Sequence, residues 1–233
     1  MRVVRLLPWV LAAVLGGLIA LGTSLPAHLP DTGSQHIYWY MGRSSGFAAY
    51  WLLLASVVLG LAVSSRVFDG WLVRPWVYEM HQFLSLYVLI AMSFHALIML
   101  PDPYAQFSLA ELLVPFASTY RPVAVAIGAI ALYGSFIVSA SFYLKRYIGQ
   151  QAWRWLHYST FGLFVLAMVH GILAGTDSGE QWAQLSYLSS GLTVLFFTFF
   201  RILASKRAER AAKREPKPAP PAVEGAPEAA AAA

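Results

Sequence analysis

The sequence predicts an all-α, polytopic membrane protein with six transmembrane helices. Of its 233 residues, 58% are hydrophobic and only 12% are charged, and the mean hydropathy is +0.60. A soluble core with a wettable surface cannot be built from this composition, because too few polar side chains remain to cover it. The charges also gather between apolar runs of about 20 residues, the length that crosses roughly 30 Å of hydrocarbon as a helix.

Six apolar runs are the predicted membrane helices, and they cover residues 6–25, 47–63, 76–100, 122–143, 155–174 and 185–204. The first run follows two arginines, so it is also compatible with a cleaved signal peptide. Its apolar stretch is longer than a usual signal core, and Leu25-Pro26-Ala27 is a poor cleavage site. Both features favour the transmembrane interpretation.

The basic residues indicate the orientation in the membrane. With a cytoplasmic amino terminus, 14 of the 16 lysines and arginines fall on the cytoplasmic side, and only Arg43 and Arg121 fall outside. This bias predicts six crossings of the inner membrane, with both termini in the cytoplasm and lipid around the helices. Topology therefore explains the net charge of +5, which does not indicate nucleic-acid binding.

The predicted organisation has three parts. Residues 1–41 hold the first transmembrane helix and an outer loop, residues 42–204 hold the main membrane domain, and residues 205–233 form a basic, then Pro- and Ala-rich tail. The tail composition cannot bury a core and predicts disorder in the cytoplasm. In the outer segment after the third helix, Ser108 and Glu111 have the spacing of a capping box, which predicts a short surface helix.

Four histidines inside the predicted helices are the strongest indication of chemistry. The chain has no cysteine, which excludes disulfides, iron–sulfur clusters and thiolate ligands. His81 and His95 lie in the third predicted helix, and His157 and His170 lie in the fifth. Ionisable groups are costly inside a bilayer, so they normally face a partner, a cavity or a cofactor. For any one histidine, a hydrogen bond between helices is the alternative.

The spacing of these histidines sorts them into two cross-helix pairs. His81 and His95 are 14 residues apart and His157 and His170 are 13 apart, about 20 Å along each helix. The two helices run in the same direction, so His81 is level with His157 and His95 with His170. Two facing imidazoles can ligate one haem iron from both sides, so two levels predict a dihaem-binding helical bundle. Zinc or copper would need further ligands at one level, and only Glu79 beside His81 is a candidate.

A straight fifth helix does not fit this scheme well. At about 100° per residue, a step of 13 residues leaves His170 about 140° away from the face of His157. Local over- or underwinding near Gly162 and Gly171 would absorb the difference, as would a different haem rotation at the two levels.

Two short motifs accompany the histidines. Gly42-Arg43 stands at the outer start of the second helix, and Trp153-Arg154-Trp155-Leu156-His157 opens the fifth. With the histidine spacing, these motifs make residues 42–204 resemble the ferric reductase-like transmembrane domain family. That family includes ferric reductases, NADPH oxidases and the haem-binding membrane subunit of the periplasmic methionine sulfoxide reductase system.

The resemblance implies two b-type haems, an inner one on His81 and His157 and an outer one on His95 and His170, with electrons usually moving outward. It also implies a cytoplasmic flavin reductase or quinol as the electron donor, so a non-covalently bound FMN or quinone is a further cofactor candidate. The implied acceptor is a periplasmic or extracellular protein, a ferric chelate or oxygen.

The resemblance also implies residues that contact the haems. Arg43 is similar to an arginine that meets a propionate of the outer haem, since a guanidinium pairs bidentately with a carboxylate. Arg74 and Arg154 are candidates to bind the propionates of the inner haem. The positive-inside bias explains both arginines equally well. Phe164, midway between His157 and His170, is a candidate to fill the gap between the haems or a packing residue.

The predicted function is therefore an electron-transferring oxidoreductase subunit, and the sequence assigns it no catalytic residue. No Gly-rich dinucleotide fingerprint in a strand-to-helix context is present, so we expect a stand-alone membrane part that needs a partner. The alternative is a membrane transporter or channel that uses the intramembrane histidines as proton or metal sites. Repeated halves with broken helices, which are typical of transporters, are not evident.

Overall fold

The computed structural model describes residues 37–65 and 74–212, and within these ranges the chain is entirely helical, with no strand. The helices are α1 (Ile37–Ser65), α2 (Arg74–Leu97), α3 (Leu109–Leu113), α4 (Pro122–Ile148), α5 (Gln150–Tyr158), α6 (Thr160–Ala174) and α7 (Gln181–Ala212). The predicted all-α class is confirmed for these residues. The first predicted helix, residues 6–25, and the end of the predicted tail, residues 213–233, lie outside them.

Five segments are long and apolar enough to cross a membrane, namely Ile37–Ser65, Pro75–Leu97, Pro122–Ile148, Gln150–Ala174 and Gln181–Arg207. They correspond to the second to sixth predicted helices. Large apolar side chains stay exposed along them, and on α7 Leu195 and Phe196 are 67% and 64% exposed. Such surfaces are unusual on a soluble monomer and are well solvated by hydrocarbon, so these segments fit a multi-pass membrane protein.

Helices α1 and α7 extend furthest beyond their predicted ends. Helix α1 begins ten residues before the predicted start. Two hydroxyls in its polar first turns bind carbonyls of the same helix: Ser44 donates to the carbonyl of Tyr40 at 2.9 Å, and Ser45 to that of Gly42 at 3.0 Å. Helix α7 continues eight residues past the predicted end at 204, to Ala212. Its last residues are Ala, Lys, Arg and Glu, which are strong helix formers.

The fifth predicted helix is broken into α5 and α6 at Ser159. The Ser159 N–H donates to the carbonyl of Leu156 at 3.2 Å, which is a 3₁₀-type turn with about 120° per residue instead of 100°. This overwinding rotates His170 toward the face of His157 and removes part of the 140° mismatch. The sequence predicted a winding change near Gly162 and Gly171, whereas the structure places it at Ser159.

The predicted surface helix after α2 is present as α3. Ser108 accepts a hydrogen bond from the Glu111 N–H at 3.2 Å, and Glu111 accepts one from the Ser108 N–H at 2.9 Å, so both halves of the capping box form.

Helices α2 and α6 lie diagonally across a four-helix arrangement. Helix α1 packs against α2, α6 and α7, and α4 packs against α2, α5 and α6, so α1 and α4 flank both diagonal helices. Neighbouring helix axes are about 8–10 Å apart, so diagonal axes are separated by roughly 12–14 Å. The helices that carry the histidines therefore face each other across a gap, and the buried core lies mainly between α1, α6 and α7.

Candidate functional site

The four membrane histidines meet in two pairs across this gap. The ring centroids of His81 on α2 and His157 on α5 are 6.0 Å apart, and those of His95 on α2 and His170 on α6 are 6.1 Å apart. The ring planes are inclined by 87° and 74° respectively. The structure thus brings together the residues that the sequence predicted to be level with each other.

These separations suit a metal ion shared by two imidazoles. A metal–nitrogen bond is about 2.0–2.1 Å, so two rings that ligate one metal from opposite sides have centroids roughly 6.4 Å apart. Both observed separations lie within a few tenths of an ångström of that value. The pairs therefore fit two-sided ligation of one ion at each level.

Three of the four rings are held by backbone carbonyls of flanking helices. His81 Nδ1 donates to the backbone carbonyl of Ser56 at 2.9 Å, and His95 Nδ1 donates to that of Gly42 at 2.9 Å. His170 Nδ1 donates to the backbone carbonyl of Ala124 at 2.7 Å. A carbonyl oxygen can only accept, so the proton of a neutral ring must be on Nδ1. The Nε2 lone pair of each of these rings is then available to a metal.

A glycine follows each of these carbonyls by four residues and lies against the same ring. A Cβ atom added to Gly60 would stand 3.1 Å from Cε1 of His81. Added to Gly46 it would stand 3.0 Å from Cε1 of His95, and added to Gly128 it would stand 2.6 Å from Cε1 of His170. At Gly128 an added Cβ would force the ring to move, and at Gly46 and Gly60 it would leave a tight contact, so glycine suits all three approaches to the carbonyl one turn earlier. We call each carbonyl–glycine pair an imidazole cradle.

The two cradles on α1 repeat with the spacing of the histidines on α2. Gly46 and Gly60 are 14 residues apart, as are His81 and His95. The first cradle of α1 holds the second histidine of α2, so the two helices are antiparallel and their contact repeats after two heptads. The sequence reasoning missed these glycines, although two glycines on one apolar helix at the histidine spacing were a usable signal.

His157 is held differently from the other three. In the part of the chain that the structure describes, no hydrogen bond reaches its ring. Instead the ring stacks on the indole of Trp153, one turn earlier on α5, with centroids 5.1 Å apart and planes 21° apart.

Arg43, predicted to meet a propionate, forms an ion pair with Asp177 just after α6. Nε donates to Oδ2 at 2.9 Å and Nη2 donates to Oδ1, which makes the contact bidentate. The Asp177 side chain is 15% exposed, so the pair is partly shielded from solvent. Arg43 lies at the level of His95 and His170, and we call this end of the bundle the Arg43 end.

A cavity of about 210 Å³ lies at the Arg43 end, and His95, His170 and Arg43 are in its wall. One water needs only about 10–15 Å³ on this scale, so the cavity has room for a much larger group. Glycine and alanine make up much of the remaining wall: Gly42, Gly46, Ala49, Ala96, Gly128, Ala129, Ala131, Ala167, Gly171, Ala174 and Gly175. These positions contribute little side-chain volume, which leaves room between the larger side chains of the wall.

The remaining predicted site residues are Phe164, Arg154 and Arg74, and their proposed roles at the haems stay predictions. Phe164 is 2% exposed and stacks on Tyr50, with ring centroids 5.7 Å apart, in the apolar core. Arg154 is exposed on α5. Arg74 begins α2, and its side chain lies outside the described structure.

No family model matches the chain, and neither a curated protein nor a solved structure matches it. Among the described residues, no three His, Cys, Asp or Glu side chains are grouped so that they could hold a metal ion. The chemistry of the site is therefore argued from the two histidine pairs and their surroundings.

Proposed function

We propose that the chain is the membrane subunit of a ferric reductase-like oxidoreductase and carries electrons across the bilayer through two b-type haems. The observation that carries this proposal is the pair of facing imidazoles at each of two levels, with ring centroids 6.0 and 6.1 Å apart. His81 and His157 would hold one haem, and His95 and His170 the other.

The donor set suits haem better than a bare metal ion. Zinc normally takes four ligands. Each level offers two histidine nitrogens, and within the described ranges no third His, Cys, Asp or Glu side chain is grouped with them. A haem would bring its own porphyrin nitrogens, so two histidines at each level would be enough to hold it. The same argument weakens the metal-site version of the transporter alternative.

A haem held by two histidines at each level would supply one-electron transfer there. The chain's own contribution is to fix the ligands. Each cradle holds one ring in a single tautomer, and an Nδ1–H bond to a carbonyl raises the basicity of the ligating Nε2. The two levels are separated by about 20 Å of helix, which spans most of the hydrocarbon layer.

The surface beside the His81–His157 pair suits an anionic electron donor. We call this the Lys145 end: Lys145 and Arg146 end α4, and Arg154 is exposed on α5. A reduced flavin such as FMN, or an acidic flavin reductase, would be attracted to this basic surface, whereas a quinol would reach it through the lipid. Electrons would then leave at the Arg43 end to an extracytoplasmic protein, a ferric chelate or oxygen.

Haem content and redox titration of the purified protein test the proposal. We expect two low-spin b haems per chain in a pyridine haemochrome assay. His81→Ala and His157→Ala should remove the same redox component, and His95→Ala and His170→Ala the other, since two ligands share one iron. If protein supplied with excess haem is found to contain none, the proposal is refuted and a transporter is favoured. If His81→Ala and His95→Ala remove the same redox component, the pairing is refuted.

A further inference from the structure

The indole N–H of Trp153 is a buried donor beside His157. Its Nε1 atom is shielded from solvent and has no hydrogen-bond partner among the described residues. A buried donor left unpaired costs about 1–3 kcal/mol, so such groups normally have an acceptor. The indole ring stacks on the imidazole of His157, which places this donor next to one of the candidate ligands.

A lysine from the neighbouring helix approaches the same indole. Lys145 Nζ lies 4.3 Å from the centroid of the Trp153 ring, and Phe142 packs against the ring edge-on, with centroids 6.4 Å apart. The approach depends on Gly149, whose φ of +82° reverses the chain between α4 and α5. No carboxylate forms an ion pair with Lys145 within the described ranges, where Arg43 and Asp177 form the one salt bridge.

The two ends of the bundle therefore differ in how their charges are paired. At the Arg43 end, the guanidinium already binds the carboxylate of Asp177. At the Lys145 end, a cation and an N–H donor from two helices both lack an anionic partner from the described chain. A carboxylate would satisfy both groups, because it accepts several hydrogen bonds and supplies the missing negative charge.

We propose that the Trp153 indole N–H and the Lys145 ammonium form a carboxylate subsite beside His157, and that it binds a propionate of the haem held by the His81–His157 pair. This inference rests on the proposed function and deepens it. A propionate is the favoured carboxylate because it belongs to the same molecule as the ring that His157 would ligate. From the sequence, Arg74 and the exposed Arg154 were candidates for the same role, and the positive-inside bias explained both equally well.

Two variants and one control separate the subsite from general packing. Trp153→Phe keeps the aromatic stack on His157 but removes the N–H, and Lys145→Met keeps the aliphatic stem but removes the charge. Trp155→Phe is the matched control, because Trp155 lies on the same helix and is 70% exposed. Haem loss to excess apomyoglobin is followed for each redox component of the full chain, loaded with haem or with haem dimethyl ester.

We expect Trp153→Phe and Lys145→Met each to speed haem loss from the His81–His157 component roughly tenfold or more, since each removes a charge-assisted contact. The other component and the Trp155→Phe control should be unchanged. With the dimethyl ester, wild type should lose that component at least as fast as Trp153→Phe loses haem, because both contacts need the carboxylate, and neither substitution should add anything further.

Other outcomes would overturn the subsite. If wild type binds two haems and Trp153→Phe behaves like Trp155→Phe, the indole N–H has another acceptor, such as water, and the proposed function stands without the subsite. Equal acceleration of both components would indicate a packing defect instead of a lost carboxylate contact. If wild type binds no haem at all, the proposed function fails together with the subsite.

Discussion

Gly128 on α4 lies directly against the imidazole of His170 on α6. A Cβ atom at this position would stand 2.6 Å from Cε1 and 2.7 Å from Nδ1 of the ring, closer than real Cβ contacts allow. The missing side chain is what lets Nδ1 reach the carbonyl of Ala124 at 2.7 Å. Ring and backbone are both constrained here, so this is the tightest of the three imidazole cradles.

Gly128→Ala should displace the His170 ring and weaken the whole Arg43 end. Overpacking of this kind costs about 1–3 kcal/mol, which we expect as a lower unfolding midpoint in detergent and as loss of the haem proposed at His95 and His170. Gly46→Ala and Gly60→Ala should cost less, because their added Cβ atoms would stand 3.0 and 3.1 Å from the nearest ring atoms.

Gly162→Ala is the matched control for this series. Gly162 lies within α6, and a Cβ there would meet nothing within 4 Å. Replacing an unhindered helical glycine by alanine stabilises a helix by up to about 1 kcal/mol. Equal unfolding midpoints and equal haem contents for Gly128→Ala and Gly162→Ala would show that the cradle does not constrain the ring.

The ion pair between Arg43 and Asp177 should tie the start of α1 to the segment after α6. With side chains 36% and 15% exposed, it lies between a surface pair, worth about 0–1 kcal/mol, and a buried one. A double-mutant cycle of Arg43→Gln and Asp177→Asn should therefore give a coupling of about 1–2 kcal/mol in detergent unfolding. Glu180→Gln, an exposed acidic residue nearby, is the control. A coupling no larger than that of Arg43→Gln with Glu180→Gln would mean that the contact contributes nothing.

Glu111 should make the loop that contains α3 sensitive to acid. The Ser108 N–H and then the Thr119 N–H bind its carboxylate, and with both hydroxyls they lower its pKa from 4.5 to about 2. Because the folded pKa is depressed, this stabilisation is complete above pH 4.5 and is lost as the pH falls toward 2. NMR titration of the Glu111 carboxyl group should give a pKa near 2. Amide hydrogen exchange in the loop, corrected for the intrinsic exchange rate, should show protection that is lost as the pH falls from 4.5 toward 2. Glu111→Gln should lack this pH dependence, and a titration near 4.5 would contradict the assignment.

Hydropathy and local spacing were enough to predict the helices that the structure describes. Long apolar runs between charged segments identified five spans, and Ser108 with Glu111 identified the capping box, since both signals depend only on neighbouring residues. The helix ends were less predictable. The polar turn around Ser44 and Ser45 resembles a loop in sequence, yet it is helical, and both hydroxyls bind carbonyls of the preceding turn.

The histidine spacing predicted which rings meet, because rise along a helix places side chains at a level without knowledge of the neighbouring helix. Rotation about the helix axis was not predictable in the same way. The mismatch between His157 and His170 is reduced by a tightened turn at Ser159, which carries no glycine or proline to mark it.

Composition and periodicity thus predicted the all-α class, the five membrane-length helices of the described residues and the level of each histidine, since all of these follow from local hydrophobicity and helix geometry. Packing between helices decided the rest. It decided which carbonyl and glycine hold each imidazole, that Arg43 is paired with Asp177, and where the Trp153 N–H is buried. All three depend on residues that meet only after folding. Arg43 and Asp177 are 134 residues apart in the chain, and a contact over such a separation is set by helix register and close approach, which no local pattern encodes.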